Sequence, residues 1–503
     1  MSRNTFVLTA AFAVVGATLV PAVAGAEPGV AASTCLGKPV TIVATPDATV
    51  GTEGDDVVAM TPSGWSTFDA RGGNDTICLA LGMAFNNPRD SIPPTGLLDA
   101  GAGDDVVVNE ATESPGATMS VGLGVGEDTF TGNGTPASVF ADSSVVYGLP
   151  PSPPAGSQRD LIDAGTGGGA VTSVAPVGGL NEDRIVFGGG AAQVVYGGAM
   201  GPSGLVDITA AGSSPSLWLP QPGAVEPVGR GELRIDNVGR RATVGGAQVM
   251  TWSGQFSTFS FGQDGGTSSG LPVSFVGSEA DEDVTVSGCP VGDIRLGGGD
   301  DSLSVHAYND AFVPRSADGG PGSDSAVLET ACVTMRVAVT RDISCDGFSG
   351  PFGGFDEVIA TSLRSGSTVN LVGSATAERL VASGGRVTVH GRGGADEIGV
   401  DDASTTRVSG GGGADDIWAS GGDVIVKGQT GSDRIELLGP EGGRAPAVTR
   451  QVALGGRGAD QLRGTDETQG DRLVGGRGKD QANGKGGKHD RCVAEATKNC
   501  ERI

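Results

Sequence analysis

Eleven aspartates in this chain stand behind glycine at one fixed spacing. The C-terminal copies read "GRGGADEI", "GGGGADDI", "GQTGSDRI", "GGRGADQL" and "GGRGKDQA", and they carry Asp396, Asp415, Asp433, Asp460 and Asp480. Weaker copies upstream, "GTEGDDVV", "ARGGNDTI", "AGAGDDVV", "LGVGEDTF", "LGGGDDSL" and "GGPGSDSA", carry Asp56, Asp75, Asp105, Asp128, Asp301 and Asp324. The frame is Gly, two variable residues, Gly, one variable residue, Asp, one variable residue, then usually an apolar one. Carboxylates and the carbonyls exposed by tight glycine turns are hard oxygen ligands. Calcium takes roughly six to eight of these at about 2.3–2.6 Å and tolerates irregular geometry. Aspartate suits the role because its short side chain keeps the carboxylate near the backbone.

The spacing dictates the elements that carry these residues. Asp396 to Asp415 is 19 residues, Asp415 to Asp433 is 18, Asp56 to Asp75 is 19 and Asp460 to Asp480 is 20. Periods of this size indicate a solenoid. Short branched runs such as "DVVV" at 105, "RIVF" at 184 and "DVIVKG" at 423 suit strands. Glycine runs between them supply turns with positive φ. Two strands and two turns make a coil, and stacking coils pairs the strands in parallel at about 4.8 Å. The fold class expected is therefore all-β, with the apolar residue two positions after each aspartate pointing inward.

Residues 410–417, 455–462, 475–480 and 319–324 resemble the Gly-Gly-x-Gly-x-Asp-x-U-x nonapeptide of the RTX family of secreted calcium-binding proteins. The resemblance implies a parallel β-roll or β-helix solenoid with calcium between stacked turns, its ligands being the aspartates above and turn carbonyls. The segment "GGKHDRCVAEATKNCERI" is similar to the Cys-clipped ends of such proteins. The intervening turns at 401 and 420 lack the motif, so calcium is expected along one edge only. Arg392 and Gln429 replace the second glycine, and Asp490 comes one residue late and is not expected to bind. Glu378 and Glu282 keep the register of coils whose site is altered. The step of 27 from Asp433 to Asp460 contains either half a coil or a loop, and "GPEGGRAPAV" favours the loop.

Composition supports a thin core. Glycine makes up 89 of 503 residues and aromatics only 4%, which leaves few large side chains to bury. Net charge is −26, concentrated upstream of residue 440, which disfavours compaction unless cations neutralise it and argues against nucleic acid as a partner. Residues 1–26 read as a signal peptide, and no later stretch is apolar enough to span a membrane. The expected location is extracellular. Seven cysteines suggest disulfides: Cys492 and Cys500 are close in sequence, Cys35 and Cys78 bracket the first repeats, and one of Cys289, Cys332 and Cys345 is left over.

The expected organisation is 27–130 as N-terminal repeats, 131–276 as motif-free solenoid with Pro-rich loops, 277–372 as central repeats and 373–503 as a C-terminal β-roll. No catalytic constellation emerges. Gly266 to Gly270 fits Gly-x-Ser-x-Gly but sits in a loop-like run, and His306, His390 and His489 are scattered. An exported calcium-ion-binding protein of structural or adhesive role is expected, with cell-surface or matrix glycans or proteins as further partners. The rival is a carbohydrate-active enzyme or glycan-binding protein on a calcium-stabilised scaffold.

Overall fold

The computed structural model describes residues 34–45, 48–60, 67–79, 95–110, 118–141, 159–175, 179–220, 231–262, 271–308, 310–439, 450–466, 470–486 and 489–501. The expected signal peptide and the Gly266–Gly270 run lie outside the described residues. Among the described residues there is no helix, and 41 strands form one large, mostly parallel sheet.

Two parallel ladders make up this sheet, because each branched run pairs with the equivalent run one coil away. In the first ladder Val57–Met60 pairs with Thr76–Leu79, then Val106–Asn109, Thr129–Thr131, Leu161–Asp163 and Arg184–Val186 follow in order. In the second, Thr67–Asp69 pairs with Thr95–Asp99, and the series continues through Thr118–Gly122, Ala137–Phe140, Gly168–Val174 and Ala191–Gly197. The strands between 131 and 276 belong to the same sheet, since Ser216–Leu219 pairs with Thr258–Gly262, which pairs with Asp283–Ser287.

Twice the first ladder opens to admit an antiparallel meander. Leu233–Asp236, Arg241–Val244 and Ala247–Ser253 form one, its third strand pairing back to Leu205–Asp207 and its first forward to Val273–Val276. Thr334–Ala338, Arg341–Cys345 and Phe348–Gly353 repeat the device. Each meander adds two strands to one face and none to the other.

The core is a narrow layer of inward side chains from both ladders, such as Ile417, Ala419, Val424 and Val426 in one coil. Ile398, Ile417, Ile435 and Leu462, each two residues after a motif aspartate, are buried as the alternation requires. Aromatic residues concentrate between 252 and 275, where Trp252, Phe256, Phe259 and Phe275 form an edge-to-face chain with centroids 4.8–6.0 Å apart. Disulfides join Cys35 to Cys78, Cys332 to Cys345 and Cys492 to Cys500, leaving Cys289 free and buried. This resolves the pairing that spacing left open. Three disulfides fit an oxidising compartment, and no helix of the described residues is long and apolar enough to cross a membrane.

Candidate functional site

Stacking brings the motif aspartates into columns. In each coil the aspartate backbone N–H donates to the Oδ1 of the aspartate one coil further on: Asp56 to Asp75 at 2.7 Å, Asp75 to Asp105 at 2.8 Å and Asp105 to Asp128 at 2.8 Å. The C-terminal array does the same from Asp396 through Asp415, Asp433 and Asp460 to Asp480, every step at 3.0 Å. Asp301 donates to Asp324 at 2.9 Å. The 27-residue step therefore stays in the column, and the stretch from 440 to 449 lies outside the described residues.

Glycine at the first motif position makes room for the acid. A Cβ added at Gly410 would meet Asp415 Oδ2 at 2.2 Å, and one at Gly428 would meet Asp433 Oδ2 at 2.1 Å and the Gly455 carbonyl oxygen at 2.7 Å. Glycine at the fourth position has another cause. Gly431 has φ +141° and a Cβ there would lie 1.4 Å from the Gly413 carbonyl oxygen, so the backbones of adjacent turns touch directly. Arg392 and Gln429, at the second position, adopt the same left-handed region, with φ of 79° and 83°.

Each column carboxylate is buried and uses only part of its hydrogen-bonding capacity. Among the described residues the second oxygen of Asp75, Asp105, Asp128, Asp301, Asp324, Asp396, Asp415, Asp433, Asp460 and Asp480 is sealed from solvent without a hydrogen-bond partner. Burial accordingly pushes Asp105 up to about 8 and Asp128, Asp301 and Asp396 to about 7; neighbouring acids add to the rise and the accepted N–H opposes it. Asp75 and Asp433 rise to about 6, and Asp415, Asp460 and Asp324 rise for the same leading reason.

Coils with a hydroxyl at the second position cap the acid internally on at least one oxygen. Asp56 Oδ2 accepts from Thr52 N at 2.8 Å and Thr52 Oγ1 at 3.0 Å, and Glu378 accepts from Ser374 N at 3.0 Å as well as from the Ser374 hydroxyl. Asp471 is capped by Thr465 in the same way. Glu282 takes Ser278 N at 3.0 Å and Asn237 Nδ2 at 3.0 Å on one oxygen, leaving the other unpartnered.

Several expectations need correction. The acids do not keep to one edge: Asp56 through Asp128 precede first-ladder strands, whereas Glu282 through Asp480 precede second-ladder strands. The column changes sides between residues 183 and 282. Asp490 is in register after all, accepting from Asp471 N at 2.9 Å in a short column back on the first edge. The middle region is not free of column acids, since Asp128 N donates to Asp160 Oδ1 and Asp160 N to Asp183 Oδ1, both at 2.9 Å. Asp160, Asp183 and Asp471 escaped the sequence because their glycines are absent or displaced; the surviving signal was Asp-x-apolar at coil spacing. The second column is interrupted at Asp356, which is exposed while Phe355 fills the interior.

An outer ladder runs beside the inner one. Asn74 N donates to Asp55 Oδ1 at 2.8 Å, Asp104 N to Asn74 Oδ1 at 2.9 Å, and Glu127 N to Asp104 Oδ1 at 3.0 Å. Its sequence signal was the doubled acid of "GDD" and "GED". The C-terminal array has Ala395, Ala414, Ser432, Ala459 and Lys479 at that position.

Buried, unpartnered carboxylate oxygens beside glycine carbonyls suit a hard cation. A coil contributes at most one such column carboxylate, and among the described residues no three His, Cys, Asp or Glu side chains converge on one point. Further ligands would therefore come from turn carbonyls. No protein-family model matches the chain, and no curated protein matches it.

Proposed function

We propose that this chain is an exported, non-enzymatic β-solenoid that binds calcium in its aspartate columns, couples the folding of those coils to the ion and serves a structural or adhesive role. The observation that carries this reading is the series of buried carboxylate oxygens left without partners. A stack of like charges removed from water is unfavourable unless protons or cations neutralise it. Calcium fits better than a softer metal because every available donor is oxygen. The residues that would hold it are Asp75, Asp105, Asp128, Asp301, Asp324, Asp396, Asp415, Asp433, Asp460 and Asp480, with turn carbonyls of the adjoining coil, which at the first position belong to glycine in the C-terminal array and to Ala70, Ala100, Leu123 and Leu296 in four of the upstream coils. Asp56 falls out of this set because Thr52 already occupies its Oδ2, the oxygen that has no partner in the coils of this set. The ion would supply charge neutralisation and a cross-link between coils; the chain's own side chains supply the Oδ1 bond that sets the register. The motif's likeness to the RTX nonapeptide supports the same reading.

Equilibrium dialysis of the full chain against calcium, with magnesium as control, tests it. Asp415→Asn is expected to lower the calcium count, whereas Asp56→Asn leaves it unchanged. Absence of calcium uptake above the magnesium level would refute the proposal.

A further inference from the structure

We propose that the second-ladder face between residues 434 and 498 is a binding trough for an anionic polysaccharide. An open cavity of about 470 Å³ lies here. It spans Arg434–Leu438, Gln461–Arg463, Gln481–Asn483 and Ala496–Lys498, four strands paired in parallel. Ile435, Leu462 and Ala482 turn inward and are buried, so the floor is strand backbone and the walls are two outward rows. Arg434, Gln461 and Gln481 share one row by register; Arg463, Asn483 and Lys498 lie on the other. The trough runs along the solenoid axis for roughly 15 Å at about 4.8 Å per strand. That shape suits an extended chain.

Charge selects the class of ligand. The chain as a whole carries −26, yet this cavity is lined by Arg434, Arg463 and Lys498 with no acid in its wall. Glu436, beside it, is engaged by Lys485 at 3.0 Å and Arg463 at 3.5 Å, and Asp416 lies 4.0 Å from Arg434. Arginine forks match carboxylate or sulfate groups. The amides of Gln461, Gln481 and Asn483 offer donors and acceptors together, which sugar hydroxyls require. Trp418 aligns in register with Glu436 and lies against Gly399, where a Cβ would come within 2.3 Å of the indole. The indole thus leans over the strand on the side away from the trough and is half-buried, which leaves recognition to the polar and cationic side chains of the trough.

The test is calorimetric titration of the full chain in calcium-containing buffer with two probes of equal length, a galacturonate oligosaccharide and a sulfated dextran oligosaccharide. A neutral dextran and a polyglutamate peptide are the controls. The trough is expected to bind at least one anionic glycan saturably. The triple variant Arg434→Ala/Arg463→Ala/Lys498→Ala should weaken that binding tenfold or more with an unchanged circular dichroism spectrum. Preference between the two probes identifies the anionic group. No binding of either, equal binding by the triple variant, or equal binding of polyglutamate would overturn the assignment. Calcium is present in every arm, so failure here leaves the calcium reading untouched.

Discussion

At the scale of single residues, the column aspartate has two separable duties. Its Oδ1 accepts a backbone N–H from the neighbouring coil, and its Oδ2 is the oxygen without a partner. Asp415→Ala removes both, orphans the buried Asp396 N–H and should cost about 1–3 kcal/mol in chelator as well as in calcium. Asp415→Asn keeps an acceptor and deletes the charge. It should therefore be close to neutral in chelator but lose the increment that calcium gives the parent, as read by urea unfolding in both conditions. Equal losses for the two variants in both conditions would show that the charge has no separate role. The raised carboxylates also set a pH dependence. Folded values of about 6 to 8 for Asp75, Asp105, Asp128, Asp301, Asp396 and Asp433 lie above the ordinary carboxylate value, so the folded state holds protons that the unfolded chain has released. Stability from these groups is present in full below about pH 4 and is lost as pH rises through 6 to 8. In chelator the melting temperature should fall between pH 5 and pH 8; in saturating calcium the slope should flatten, because the ion takes the place of the proton.

At the scale of the coil, glycine positions divide by cause. Gly431→Ala places a methyl on the Gly413 carbonyl of the adjacent turn, and should destabilise by more than about 2 kcal/mol. Gly366→Ala, at φ +75° with open space around it, pays only the left-handed backbone penalty of about 1 kcal/mol. Thermal melts of the two variants measure the difference, and equal shifts would contradict direct stacking of the turns. This pattern also marks what the sequence could and could not reveal. The motif's period exposed the coils, and Ile398, Ile417 and Ile435 behind each aspartate gave the inward face. The edge switch was hidden, because a spacing of 18 to 20 residues is the same whichever half-turn carries the acid. Asp160 and Asp183 lack the glycines that flag their fellows, and Thr52 and Ser374 became legible as internal caps only once their hydroxyls stood beside the carboxylates. The meanders at 233–253 and 334–353 left no periodic trace, since their strands read like any other branched run.

At the scale of the whole molecule, the columns are separated by coils of different chemistry. Two disulfides fasten the described ends and one ties the second meander. The aromatic chain from Trp252 to Phe275 gives the middle coils a core of large side chains, whereas the array from Asp396 to Asp480 packs only small aliphatic ones, such as Ile417, Ala419, Val424 and Val426, beside its buried acids. Because each coil touches only its neighbours, these regions should fold as separate cooperative blocks. A weak site still matters in such an array: each bound ion adds RT ln(1 + [L]/Kd), and successive sites sum along the column. The most direct measurement is far-UV circular dichroism of the chelated chain at pH 7.5 during calcium titration, with magnesium as control. The predicted result is a partial β signal in chelator, from the aromatic middle, followed by a calcium-specific gain as the columns order. A β signal complete in chelator, with a melting temperature that calcium does not raise, would contradict metal-coupled folding.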